Sequence, residues 1–481
     1  MKLKLFLLIT LAIVFNFALA KKNQFIQIQA NKTLALLSFV ETANGSPSSS
    51  YSFKEFIEKK LGESKEFQKL IKRYHELNLS YQLELKDYPD LRHAYKDSKD
   101  FIWTAASNAT DIDDLSERIL DYLPYEGHLE FIAVLKKIEP FYEELVWQKT
   151  KKQRKRIIKQ LTAYADKIEE LFLTISHFLG SSWSKQTPFK VMLYPIPLKQ
   201  GHTTAIPKGN ALIVGFLTKN KQDYINRLGI IIHEMVHILY GAQPVELQND
   251  MDKWFMQTQS EYAKLAYNYI NEALATAIGN GWSYQQINGK MDTEEWYDNE
   301  YIDGFAHEIY PSVAQYLDAN KVIDKDFVQN SISSFEKIFP RAIDNTNILL
   351  NDFYLFANSE IESDNSFIQD SNIFNYFNIR SFRLYTPINE AESYDYMATE
   401  RTTKLIVIAK NNQETFNSLI KHLTTIPKDL DSNTDFIYSY KHKSSKSTII
   451  IINIQSMDKL EQAIKILSQE KYLKLGLQAI K

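Results

Sequence analysis

The chain has 481 residues, more than one ordinary hydrophobic core accommodates, so two or three domains are expected. Its 44% hydrophobic and 24% charged residues are those of a folding sequence, and a formal net charge of -3 gives no electrostatic footprint for nucleic acid or an anionic membrane as partner. Cysteine is absent, which excludes disulfides and lipid-modified thiols and leaves His, Glu and Asp as the side chains able to ligate a metal.

Residues 1–20 carry Lys2 and Lys4, an apolar run from Leu5, and Ala18-Leu19-Ala20 before Lys21. This is the pattern of a secretory signal peptide with a small-residue cleavage site, so the expected destination is the periplasm or the exterior. The run is short for a membrane span, and no stable membrane insertion is expected after cleavage.

From Ser38 to about Leu179 apolar residues recur at helical spacing. The clearest segments are Phe53 to Leu61, Lys65 to Leu77, Ile112 to Leu123, His128 to Val146 with an interruption at Pro140, and Lys151 to Leu179. Asp111 is placed to cap the helix that starts at Ile112. The basic run Lys149 to Arg156 reads as a solvated helix face, since acidic residues nearby balance it. Beyond Gly180 the period shortens: Phe189 to Pro197 and Gly209 to Leu217 read as strands, joined by a loop containing His202. Ala211 to Phe216 is the candidate strand edge on which an extended peptide could be held by backbone hydrogen bonds.

The next stretch, Ile230 to Tyr240, places His233, Glu234 and His237 in an otherwise apolar helix, with Asp223 as a candidate cap and Gly241 and Pro244 as stop signals. Residues four apart share a helix face, so both imidazoles can aim at one point while Glu234 sits about 100° round the axis. That is the spacing of a zinc pair with a general base beside it. Burying His, Glu and His with nothing to satisfy them would cost several kcal/mol, so the apolar setting itself argues for an occupant. A catalytic zinc needs a third protein ligand. Glu246, Asp250, Asp252, Glu261, Glu272 and His307 are the downstream candidates, and Glu272 stands out because apolar helical residues surround it from Leu265 to Ile278.

His233-Glu234-x-x-His237, separated by 34 residues from Glu272 within Asn271-Glu272-Ala-Leu-Ala275, resembles the gluzincin metallopeptidases. The resemblance covers roughly residues 185 to 320. It implies His233, His237 and Glu272 as ligands of one Zn2+ ion, Glu234 as general base, and hydrolysis of a peptide or protein substrate. The gap before Glu272 is longer than in the best-known members, no Gly-x-Met-Glu-Asn precedes the motif, and Thr276 stands where some members have an Asp. Similar enzymes carry a Tyr or His donor downstream of the third ligand. His307 and Tyr310, three apart on one helix face, are the candidates here, with Tyr301 a third.

After Asp326 a helix from Phe327 to Phe339 is expected, then little periodicity. The tail regains it, with strands at Thr403 to Ala409, Asp435 to Lys441 and Ser447 to Asn453 and helices at Glu414 to Leu423 and Met457 to Leu467. The expected fold class is α+β: a helical region at 21–180, a zincin-like catalytic core with a small sheet at 181–340, a connecting region at 341–400 and a small α/β sandwich at 401–481. The expected function is that of an exported zinc metallopeptidase. An inactive scaffold of the same fold, or a cell-wall amidase with the same chemistry, are the alternatives.

Overall fold

The computed structural model describes residues 25–480, apart from 90–91, 93–94, 221–223, 358–371, 386–387, 389, 410–411, 424–425 and 428–429. Residues 1–20 and the cap candidate Asp223 thus lie outside the described residues. The fold is a mixed α and β one and divides into two compact units, the first comprising residues up to Asp250 with Glu272–Ile323, the second Met251–Asn271 with Asp324–Lys481.

The first unit is built on a four-stranded sheet of order β1-β4-β6-β5, where β1 is Ile26–Gln29, β4 Phe189–Ile196, β5 Ala205–Lys208 and β6 Ala211–Leu217. A short ribbon of β2 (Gln82–Glu84) and β3 (Tyr95–Asp97) stands apart from it. β4 runs parallel to β1 and β6, while β5 folds back antiparallel on β6 through Gly209, whose φ of +57° is open to glycine at little cost. β6 is therefore an inner strand, and the sheet edge expected at Ala211 to Phe216 is instead β5. Pro207 removes one N–H from that edge.

Helices cover the sheet. α1 (Lys32–Ala43) is buried along almost its whole length, with Leu36, Leu37, Phe39 and Val40 each 0–1% exposed. Together with Phe53, Phe67, Phe131 and Tyr142 it forms one core with Met192, Tyr194 and Ile213 of the sheet, so the helical region does not close on itself at residue 180. Asp111 caps its helix by accepting from the Asp114 N–H at 2.9 Å. α2 (Tyr125–Tyr142) runs through Pro140 and then widens into a π-helical turn at Glu143–Trp147. The expected helix from Lys151 to Leu179 is two, Lys151–Thr162 and Ala165–Phe178. The basic residues from Lys149 to Arg156 are exposed except Arg154, which lies over the Trp147 ring.

Three further helices frame the site: α3 (Tyr224–Gly241), α4 (Ala263–Thr276), whose residues from Glu272 onward belong to this unit, and α5 (Glu300–Asp318). α4 continues into a π-helical segment, Ala277–Ser283, that packs against both α3 and α5. α3 stops at Gly241, as the sequence signals expect.

The second unit carries a six-stranded sheet, β12-β10-β11-β9-β7-β8: β7 Asp352–Ala357, β8 Ser381–Tyr385, β9 Thr403–Ile408, β10 Phe436–Lys441, β11 Thr448–Asn453 and β12 Gly476–Ala479. β7, β8, β9 and β11 are parallel, and β10 and β12 antiparallel additions. Helix Asp458–Gln469 buries Leu460, Ile464 and Leu467 on one face, and helix Asn412–His422 buries Phe416 and Leu419 on the other. Parallel strands covered on both faces read as continuous apolar runs, which is why Thr-Ile-Ile-Ile-Ile-Asn of β11 shows no alternation. The stretch expected as a connector, 341–400, supplies β7 and β8 of this sheet. Among the described residues no helix is long and apolar enough to cross a membrane.

Candidate metal centre

α3 is apolar on the faces that pack: Ile231, Ile232, Met235, Val236 and Leu239 are all 0–1% exposed. Burying them fixes the helix rotation, and the same rotation turns His233 and His237 to one side, one turn apart. Glu272 approaches from α4. His233 Nε2 and His237 Nε2 lie 3.2 Å apart, and Glu272 Oε2 lies 3.6 and 3.5 Å from them. Glu272 is thus the downstream acid that joins the histidines, and these three are the group among the described residues whose donor atoms could hold a metal ion.

The donor set can be tested against zinc. With ligand bonds of about 2.0–2.1 Å, a tetrahedral site sets its donor atoms about 3.3–3.4 Å apart. The three observed separations bracket that value. Two ring nitrogens facing each other at 3.2 Å must share either a proton or a cation, and two imidazoles with one carboxylate are the donors of a catalytic zinc site with room for a fourth ligand.

The surroundings tune each group. Burial pushes the His233 imidazole down, against the opposing pull of Glu272, so the ring favours the neutral form a metal requires. Burial alone would raise the Glu272 carboxyl, but the His233 and His237 imidazoles beside it outweigh this and hold it well below the ordinary carboxylate range. Glu234, half-buried, is pushed up to about 7 by burial, with the negative charge of Glu272 adding and His237 opposing. A carboxyl at that value can take up and release a proton at neutral pH.

A close approach of backbones holds the two ligand-bearing segments together. A Cβ at Gly279, in the π-helical segment after α4, would stand 2.8 Å from both N and Cα of His233. Only glycine admits that contact.

The sequence reading missed Tyr297. Its ring stacks on His233 with centroids 6.0 Å apart, which places it beside the ligand group. Burial first, then the charges of Glu272, Asp298 and Glu234, raise its phenol well above the ordinary value, so it keeps its proton as a donor. Its backbone is pinned: Asp303 Oδ1 accepts from the N–H groups of Trp296 and Tyr297 at 2.8 and 3.1 Å, and Asn280 donates to the Trp296 carbonyl at 2.9 Å.

His307 and Tyr310 are not in the cluster. The His307 ring stacks on Trp296 at 3.8 Å and its Nδ1 faces the Asp303 carbonyl at 2.9 Å, while the Tyr310 hydroxyl donates to Gln285 Oε1 at 2.7 Å. Both rings buttress Trp296, the neighbour of Tyr297. Tyr301 sits in the first turn of α5. His202 stacks on Tyr51 in a loop, away from any ligand group. Compared with known proteins, the chain matches no family model, no curated protein and no solved structure.

Proposed function

We propose that the chain is an exported, zinc-dependent metallopeptidase, a hydrolase acting on peptide bonds. The observation that carries this reading is the trio His233, His237 and Glu272, whose donor atoms stand at the mutual separations of tetrahedral zinc ligands, with Glu234 one residue along. A zinc ion bound there would supply a Lewis acid for the scissile carbonyl and would lower the pKa of water to about 7.

The chain's own residues do the rest. Glu234 accepts the proton of the attacking water and returns it to the leaving nitrogen, a shuttle its raised pKa suits. Tyr297, held on a pinned backbone and carrying its proton, donates to the oxygen that gains negative charge. His307 and Tyr310 hold that segment through Trp296 rather than meeting substrate. β5, as the sheet edge, offers backbone groups to an extended peptide. Export rests on the signal-like residues 1–20 alone.

The test is Glu234→Gln. The variant should bind zinc as the parent does and lose casein hydrolysis by about 10²-fold or more, the size of a general acid-base contribution. Retained hydrolysis in a zinc-loaded variant contradicts the mechanism.

A further inference from the structure

The second unit holds a polar recess of about 410 Å³, open mouth included, where β9 and β11 begin and β10 ends. Its lining is charged, where small-molecule sites are mostly apolar. Lys264, Arg401, Lys441 and Lys446 line it, against two carboxylates, Glu261 and Asp352. One of these acids is already committed: Asp352 accepts from Lys264 at 2.7 Å, both groups being buried. The chain as a whole is slightly acidic, so four cations around one recess are a local feature.

Carbonyls, hydroxyls and carboxylates hold the cations in place. Arg401 donates to the carbonyls of Met256, Thr258 and Ser260 at 2.9–3.1 Å, and Lys446 to the Gln259 carbonyl at 2.6 Å. Lys441 donates to the hydroxyl of Thr448, its partner across β10 and β11, and has Asp344 at 3.7 Å. Behind the wall, fully buried Lys404 donates to Ser447 Oγ at 2.7 Å and to the Glu400 carbonyl. Burial lowers the pKa of Lys264, Lys404 and Lys441 alike. Burial thus works against the charged forms of these lysines beside Thr403, Ser447 and Thr448, and an added anion would favour those forms.

We propose that this recess binds a small oxyanion, a phosphoryl or carboxylate group carried on a small molecule, so that the second unit is a ligand-binding module independent of the metal centre. Lys441 and Lys446 supply charge-assisted donors at its rim and the three hydroxyls complete the cradle. No proton or covalent bond changes hands.

The experiment is calorimetric titration of the full chain at low salt with inorganic phosphate, pyrophosphate and citrate, chloride at equal ionic strength being the control. Saturable binding of pyrophosphate over citrate marks a phosphoryl site, and the reverse a carboxylate site. A Lys441→Gln, Lys446→Gln double variant should weaken binding by about tenfold, the scale of a lost charge-assisted bond. Lys446→Gln alone should weaken it in the same direction and covers the case in which the double variant does not fold. Lys151→Gln with Lys152→Gln, in the exposed basic run, should change nothing. The proposal is overturned by absence of saturable binding up to about 10 mM. It is equally overturned by binding that survives the double variant, as an anion held at a metal would, or by binding lost with Lys151 and Lys152.

Discussion

Tyr297 shows what a single side chain adds to a ligand set and why pattern alone does not reveal it. His233, Glu234 and His237 are visible in the sequence because their spacing is local and helical, and Glu272 because an acid amid apolar helical residues needs a partner. Tyr297 lies in the irregular acidic stretch Asp292 to Asn299, where no period marks one aromatic above another, and only the fold brings it to His233. Its hydroxyl should matter in the transition state more than in binding. Tyr297→Phe is expected to keep zinc and lower kcat by about 10²–10³-fold with little change in KM, read from steady-state peptide hydrolysis. An unchanged kcat would remove it from the mechanism. Lys404 is a second residue whose environment is informative, because burial lowers its pKa to about 7. The ordinary value is 10.5, so between these two values the unfolded chain binds more protons than the folded one. Stability should therefore rise with pH across that window, and Lys404→Met should flatten the slope and stabilise the chain near neutral pH by about 1–3 kcal/mol. Denaturant unfolding of the full chain at several pH values checks both signs.

Between elements, the contact that matters most for the site is that of α3 with the π-helical segment Ala277–Ser283. The extra residue per turn of a π segment is often found beside functional sites, and here it begins about one turn after Glu272 and sets Gly279 against His233. A methyl group there must displace the backbone of α3 at a ligand. Gly279→Ala is thus expected to weaken zinc binding by about 10–100-fold, the size of a disturbance to the support of a ligand, measured by competition with a chromophoric chelator. A variant with parental affinity would show the close approach to be incidental. Other elements escaped the sequence for related reasons. The first part of α1, before Ser38, was missed because the helix is buried on nearly all sides and lacks the polar stripe by which a surface helix is recognised. β5, four residues long, lay within what reads as a loop, and its presence moves the sheet edge away from β6. The strands β9 and β11 were legible as runs of Leu, Ile and Val bounded by polar residues, and β10 as a short segment rich in aromatic residues.

At the scale of the whole chain, composition anticipated two or three compact bodies and the structure has two, but their limits do not follow the sequence in one pass. Met251–Asn271 belongs with the C-terminal sheet and the chain returns to the first unit at Glu272, the third donor of the proposed site. No change in composition marks the return at Glu272, since α4 runs through it with apolar residues on both sides. The expected helical region and the small sheet likewise share a core that hydrophobic periodicity, being local, does not report. The proposed hydrolysis by this chain requires one zinc ion held jointly by α3 and by Glu272. The measurement that tests it most directly is the zinc stoichiometry and affinity of the purified chain beside those of Glu272→Ala. The account predicts one equivalent for the parent and a loss of at least about 100-fold in affinity for the variant, since a direct ligand matters no less than the groups that support it. A variant that retains the parent's affinity and stoichiometry would contradict it.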